Sequence, residues 1–318
     1  MKPNEIREFS VPSLQVAAGD ALAHQVIDLA DHEDDLIEEM AADRSITGIK
    51  LPWEKTHELV RLREGEYSVF CGQSGHFKST LAFQIALWAM REAKVGIASM
   101  EMRRSDVEDI FCQQAAGDMA GEIPSESFKR QLLRWQKGRM LLFDHFGMIQ
   151  PLKILGVLRN MLNRGCELVI LDSMMLCNVT DNLDAEKAFC AELAKLSDEF
   201  CAHIMVIHHT RKLSREQGGV TGTPTRDDVR GSGAITDLAS SLFIVVNDKY
   251  KADLLRRKNA YGVTLSEKES KYVETRPCQR LIVSKQRHNT FEGSIGLYKH
   301  PSRQFLSKPS AEAMNFEI

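Results

Sequence analysis

From residue 67 onward, short apolar runs alternate with segments of helical period. The runs cover 67–71, 95–99, 141–143, 168–171, 204–207, 242–246 and 281–283, and their length and β-branched content read as strands. Between the first five lie amphipathic segments at 81–90, 106–116, 152–162 and 185–200. Strand–helix alternation requires right-handed crossovers, so it predicts an α/β domain with a mostly parallel sheet and helices on both faces. After about residue 240 helices become sparse, and 294–298 with 304–306 read as a closing antiparallel hairpin at a sheet edge. Ahead of this core, Leu14, Val16, Ala17, Ala21, Leu22, Val26, Ile27 and Leu29 recur at roughly helical spacing, followed by an acidic stretch from Asp28 to Glu39. Two readings stand for that region: a solvated amphipathic helix, or an arm exchanged onto a neighbouring subunit. The expected organisation is therefore an arm over 1–45, a core over 46–308 and a tail over 309–318.

Composition narrows the class. The chain has 318 residues, 43% of them hydrophobic and 27% charged, with net charge -3. Nucleic-acid binding must then come from a local basic surface rather than a global field. No apolar run approaches the ~20 residues of a membrane span, and the first residues lack a signal-peptide core. The seven cysteines are scattered without a C-x-x-C pair. That pattern argues against a zinc ribbon or disulfide framework and fits a reducing cytoplasm.

The strongest chemical signal follows the first strand. Gly72-Gln73-Ser74-Gly75-His76-Phe77-Lys78-Ser79-Thr80 sits between a strand and a helix, the context a phosphate loop requires. The helix start offers N–H groups to phosphate oxygens, Lys78 reaches the β- and γ-phosphates of ATP, and Ser79 binds Mg²⁺. The loop departs from G-x-x-x-x-G-K-[ST] at one place, where Phe77 stands for the second glycine. If the backbone there takes positive φ, phenylalanine costs about 1–2 kcal/mol, and its ring must point away from the nucleotide.

Three later strands end in polar groups, and open α/β sheets bind their ligands at such ends. The run 168–171 ends at Asp172, which can hold the Mg²⁺ water shell. The run 95–99 leads to Glu101, assigned as the general base for the attacking water. The run 204–207 ends in His208 and His209. His209 is the expected γ-phosphate sensor and His208 its core-facing neighbour. The polar loop that follows, 210–229, carries Arg211, Lys212, Arg215 and Arg226 with three glycines. A long basic glycine-rich loop is unusual in a compact domain, and it can grip a phosphodiester backbone without reading bases.

With these residues assembled, the sequence resembles the hexameric replicative helicases with RecA-like cores. The likeness is first to the helicase half of the phage primase–helicase and Twinkle type, then to the DnaB type. It covers about 46–306. Ser99-Met-Glu101-Met resembles the family's S-L-E-M strand, whose glutamate is the catalytic base. Val206-Ile-His-His209-Thr-Arg-Lys resembles its sensor strand. Asp228-Val-Arg230-Gly231-Ser-Gly-Ala resembles its L-R-G-S-G-A stretch beside the DNA channel. Ser284-Lys285-Gln-Arg287 resembles its K-x-R element, whose arginine reaches a neighbour's γ-phosphate.

The resemblance implies a cytoplasmic, ring-forming DNA helicase of a cell, virus or plasmid. Such a protein hydrolyses ATP with Mg²⁺ at subunit interfaces and moves 5′ to 3′ on single-stranded DNA. Its partners would be further copies of itself, a primase, a polymerase or a single-strand-binding protein. The chain lacks a zinc ribbon or primase-like segment before the core, so priming is not expected. The stretch 249–277 exceeds the family's usual connection and reads either as a basic DNA-entry surface or as a solvated helix. Two other functions share these motifs: a RecA- or RadA-like recombinase, and a nucleotide-gated helicase accessory or loading factor.

Overall fold

The structure, a computed structural model, describes residues 28–41, 47–121, 124–179, 182–211, 223–316 and 318. The chain divides into two units, 1–44 and 45–318. In the first, a 3-10 turn over Leu29–His32 is capped by the Asp28 side chain, which accepts from the Ala30 N–H, and α1 (Glu33–Ala41) follows. The expected helical positions 14–27 lie outside the described residues.

The second unit opens with an antiparallel ribbon of β1 (Ile49–Lys50) and β2 (Arg61–Leu62). The alternating part then runs β3 (Tyr67–Gly72), α2 (Lys78–Ala89), β4 (Val95–Ser99), α3 (Arg104–Ala116), α4 (Glu126–Gln136), β5 (Met140–Leu142), α5 (Pro151–Asn163), β6 (Leu168–Asp172), α6 (Leu183–Glu199) and β7 (His203–His209). After the polar loop come α7 (Gly233–Leu238), β8 (Ser241–Asn247), α8 (Lys249–Tyr261), α9 (Glu267–Thr275), β9 (Gln279–Gln286), β10 (Gly293–Lys299) and β11 (Phe305–Leu306).

The main sheet has the order β11-β10-β9-β8-β3-β7-β6-β4-β5. The six strands from β8 to β5 are parallel, and β9, β10 and β11 close one edge antiparallel. This is the expected α/β architecture, and its reason is visible in the strands. Along β6, Leu168 and Ile170 enter one core while Val169 and Leu171 enter the other. A strand buried on both faces must be apolar throughout, so it needs helices on each side. One layer packs α2 and α3 through pairs such as Phe83 on Phe111, with ring centroids 5.4 Å apart. The other packs α5 and α6.

Two sequence expectations change. Helices do not thin out after residue 240: α8 and α9 occupy most of 249–275. Few apolar positions announce them. Their ends are set by caps, Asp248 accepting from the Lys251 N–H and a Ser266–Glu269 capping box. The last residues are also not a detached tail, since Phe316 is buried in the core and Met314 and Ile318 pack against it.

Candidate functional site

Parallel strands deliver their carboxyl ends to one edge of the sheet, and the chemically notable residues gather there. Gly72 ends β3, beside His209 at the end of β7, with Asp172 ending β6 and Glu101 two residues past β4. The loop from Gly72 to Phe77 leads into α2, whose first turn has no side-chain cap, so its N–H groups remain available to an anion.

Gly72 is required by contact, because a Cβ there would lie 2.4 Å from the Val245 carbonyl oxygen. Gly75 takes φ +77, a left-handed turn. His76 donates Nδ1–H to the Val245 carbonyl at 3.1 Å, and its own carbonyl accepts from Gln279 Nε2 at 2.7 Å. The loop is thus braced by β8 and β9, across the sheet from the strands that carry the acids. Burial lowers the His76 pKa, which keeps the ring neutral for this bond. Phe77 does adopt positive φ, at 58°. Its ring turns away into the core, 6.3 Å from the Phe305 ring.

Lys78 is buried and donates Nζ–H to the Gln73 carbonyl at 3.2 Å, spanning the loop. Burial lowers its pKa, while Glu101 and Asp172 hold it up. Asp172 has no solvent exposure, and neither carboxylate oxygen has a hydrogen-bond partner of good geometry. Burial, reinforced by Glu101, pushes its pKa up to about 7, while the nearby Ser79 and Ser99 hydroxyls and Lys78 favour the anion. A fully buried carboxylate with only these neighbours to favour its charge has room for a cation. A magnesium ion fits that place at Ser79 and Asp172. Among the described residues no three His, Cys, Asp or Glu cluster so as to hold a metal ion.

Glu101 is joined by His209, whose Nε2 lies 3.6 Å from Oε1, and by Ser173, whose hydroxyl donates to the same oxygen. The His209 contact, with Ser173, lowers the Glu101 pKa against the opposing effect of burial. The carboxylate is therefore ionised and able to accept a proton. His208 points into the core, donating Nε2–H to the Arg230 carbonyl at 2.7 Å. Complete burial lowers its pKa to about 4.

The polar loop is closed at its base by a bridge between Thr210 and Val229. There Arg230 N–H donates to the His209 carbonyl at 3.0 Å and Arg211 N–H to the Asp228 carbonyl at 2.7 Å. The exposed Arg211 guanidinium reaches the Gly231 carbonyl at 3.5 Å. Arg226 pairs with Asp237. Lys212 and Arg215 lie outside the described residues. Gly231, at φ +102, sits on the buried Glu186: a Cβ would fall 2.4 Å from Oε2, and the Ser232 N–H donates to Oε1 at 2.5 Å.

Lys285 and Arg287 lie elsewhere. Because β9 runs antiparallel to β8, Gln279 pairs with Asn247 at the phosphate-loop edge while Gln286 pairs with Ser241 at the other. Arg287 is separated from its own chain's Lys78 by the length of β8, roughly 20 Å at the usual rise per strand residue. Lys285 Nζ donates to the carbonyls of Thr236, Asp237 and Ala239 at 2.8, 2.9 and 2.7 Å, satisfying the end of α7. In this chain it is a strut rather than a phosphate ligand. Arg287 is exposed and reaches the Asp237 and Leu238 carbonyls at 3.3 and 3.5 Å.

Sequence reasoning misses Ser173, Glu186 and the Gln279 brace. Glu186 does leave a signal, since it shares a helical face with Phe189, Cys190 and Leu193. A carboxylate on an apolar stripe has a buried partner to hold.

A phosphate-loop turn, a strand-end acid pair and a parallel sheet closed by an antiparallel edge define a RecA-like fold. Residues 59–215 match the family described as an AAA domain. A solved structure of an ATPase domain superposes with TM-score 0.68 at 15% identity, covering 88% of this chain and 98% of that one. A DnaB-like replicative helicase, in a structure that includes its interactions with primase, gives TM-score 0.64 at 14% identity over 88% of this chain and 67% of that one. The RadB recombinase gives 0.53 at 14% identity, over 81% and 98%. No curated protein matches the sequence. The fold of the chain is the RecA-like α/β fold of these solved domains. Among the described residues no helix is long and apolar enough to cross a membrane.

Proposed function

We propose that the protein is an ATP-driven DNA helicase that works as a closed, six-membered ring and moves 5′ to 3′ on single-stranded DNA. Each ATP is hydrolysed between two subunits. The carrying observation is the split of the machinery: Lys78, Glu101, Asp172 and His209 share one sheet edge, and Arg287 lies at the other. An arginine finger so placed serves a neighbour's nucleotide, which makes a ring the natural assembly.

In this reading the α2 N–H groups and Lys78 cradle the phosphates. Ser79 and Asp172 would hold magnesium, which when bound neutralises charge developing on the phosphate oxygens. Glu101 orients the attacking water and takes its proton as the bond from water oxygen to the γ-phosphorus forms and the bond to the β-phosphate oxygen breaks. His209 touches Glu101 and its carbonyl holds Arg230 at the loop base, so loss of the γ-phosphate shifts the loop carrying Arg211, Lys212 and Arg215. Gly231, Arg230 and these basic residues would line the DNA path. A primase contact, as in the DnaB-like relative, belongs to the same reading.

The likeness to RadB supports a second reading, a recombinase ATPase that forms open filaments on DNA. Imaging with single-stranded DNA separates them, closed rings favouring the helicase. The direct test is ATP hydrolysis with and without single-stranded DNA, for wild type and for an equimolar mixture of Glu101→Gln and Arg287→Ala chains. We expect DNA stimulation in wild type and partial rescue in the mixture. A flat or absent rate sinks the motor reading in favour of a nucleotide-gated accessory role.

A further inference from the structure

Phe77 occupies the turn into α2 with φ 58 and ψ 31, a left-handed conformation that glycine adopts without strain and phenylalanine does not. Something must hold it there. Its ring meets Phe305 of β11, and the Lys299 ammonium lies 4.1 Å from the ring centroid. Lys299 ends β10 and is paired in register with Phe305, so both contacts come from one hairpin. That hairpin is itself fastened to α2. Gln84 Nε2 donates to the Phe305 carbonyl at 3.0 Å, and Gln84 Oε1 accepts from the Phe305 N–H at 2.7 Å. Lys299 N–H also donates to Cys278 Sγ at 2.8 Å.

Among the described residues the Lys299 ammonium has no carboxylate partner. Partial burial lowers its pKa against the opposing effect of Cys278, and the neighbouring Arg303 lowers it further. Lys299 is exposed, so its face-on contact with the Phe77 ring has the modest worth of a cation–π pair at the surface.

We infer that Lys299 is a positioning residue for nucleotide binding, its ammonium clamping the Phe77 ring so that the phosphate loop keeps a turn its sequence disfavours. The loop's shape is thereby tied to the C-terminal hairpin rather than supplied by a glycine. This rests on the reading of Gly72 to Thr80 as the nucleotide site.

The test is equilibrium binding of a fluorescent ATP analogue with magnesium to the full chain. The variants are Lys299→Met, Lys299→Arg, Phe77→Gly, the double Phe77→Gly/Lys299→Met, and Lys78→Ala. Methionine keeps the apolar stem and removes the charge. Lys299→Met should weaken binding roughly 2- to 5-fold, the span an exposed cation on an aromatic face is worth, and Lys299→Arg should recover most of it. Phe77→Gly should bind at least as tightly as wild type, and adding Lys299→Met to it should change nothing. Wild-type affinity in Lys299→Met overturns the inference. So does an equal loss in the Phe77→Gly background, which would put Lys299 on the nucleotide itself. Should Lys299→Met melt early without nucleotide, the comparison of Phe77→Gly with the double variant decides alone. If wild type binds no more analogue than Lys78→Ala, the nucleotide-site reading falls and this one with it. If Lys78→Ala loses binding while Lys299→Met keeps it, only the clamp falls.

Discussion

Asp172 is a carboxyl group held in the protein interior, where burial, reinforced by Glu101, outweighs Ser79, Lys78 and Ser99 and pushes its pKa up to about 7. The ordinary value is 3.8, so between these the folded chain binds more protons than the unfolded one, and stability from this residue falls as pH rises through that window. Asp172→Asn should therefore raise the melting temperature of the nucleotide-free protein by several degrees at pH 8. The difference should shrink toward pH 5. Calorimetry with magnesium and nucleotide should reverse the order, since only the aspartate gains from the cation; a variant no more stable than wild type at pH 8 would count against a destabilising buried anion. Asp172 and Lys78 are legible because a strand end and a loop-to-helix turn fix their place from sequence alone. Ser173 is not, since its meeting with Glu101 depends on β4 and β6 lying side by side.

At the scale of elements, legibility follows apolar content. Every inner strand of the parallel sheet announces itself, because burial on two faces demands a continuous apolar run, while the half-exposed edge strand β5 shows only a short one. Helices α8 and α9 do not, because they bury little and owe their ends to capping groups. The closing segment shows the opposite error: Phe316 reads as tail yet has 2% exposure. Gln304 holds this segment, its Oε1 accepting from the Met314 N–H at 2.7 Å. Phe316→Ala should cost about 3 kcal/mol, the low end for emptying a phenylalanine site, and lower the melting temperature by roughly 6–12 °C for a domain of this size. An unchanged melting curve would return residues 309–318 to the status of a tail.

For the molecule as a whole, the separation of Lys78 from Arg287 means a single chain holds an incomplete site under the proposed function. Turnover per chain should then rise steeply with protein concentration as subunits associate, and Arg287→Ala should fall by about 10³-fold or more at saturating concentration. Rate measurements across dilution decide this; a constant specific activity down to the monomer would place the whole site within one chain. What the sequence determined by itself is the α/β alternation, the phosphate loop and the acids at strand ends, because strand period and strand-end chemistry are local properties. The tertiary structure alone decided which end of the sheet each residue reaches. Strand order and direction carried Arg287 away from Lys78, seated Gly231 on Glu186 and set Lys299 over Phe77. Those placements relate residues 209, 45 and 222 positions apart in sequence, and no local pattern along the chain encodes them.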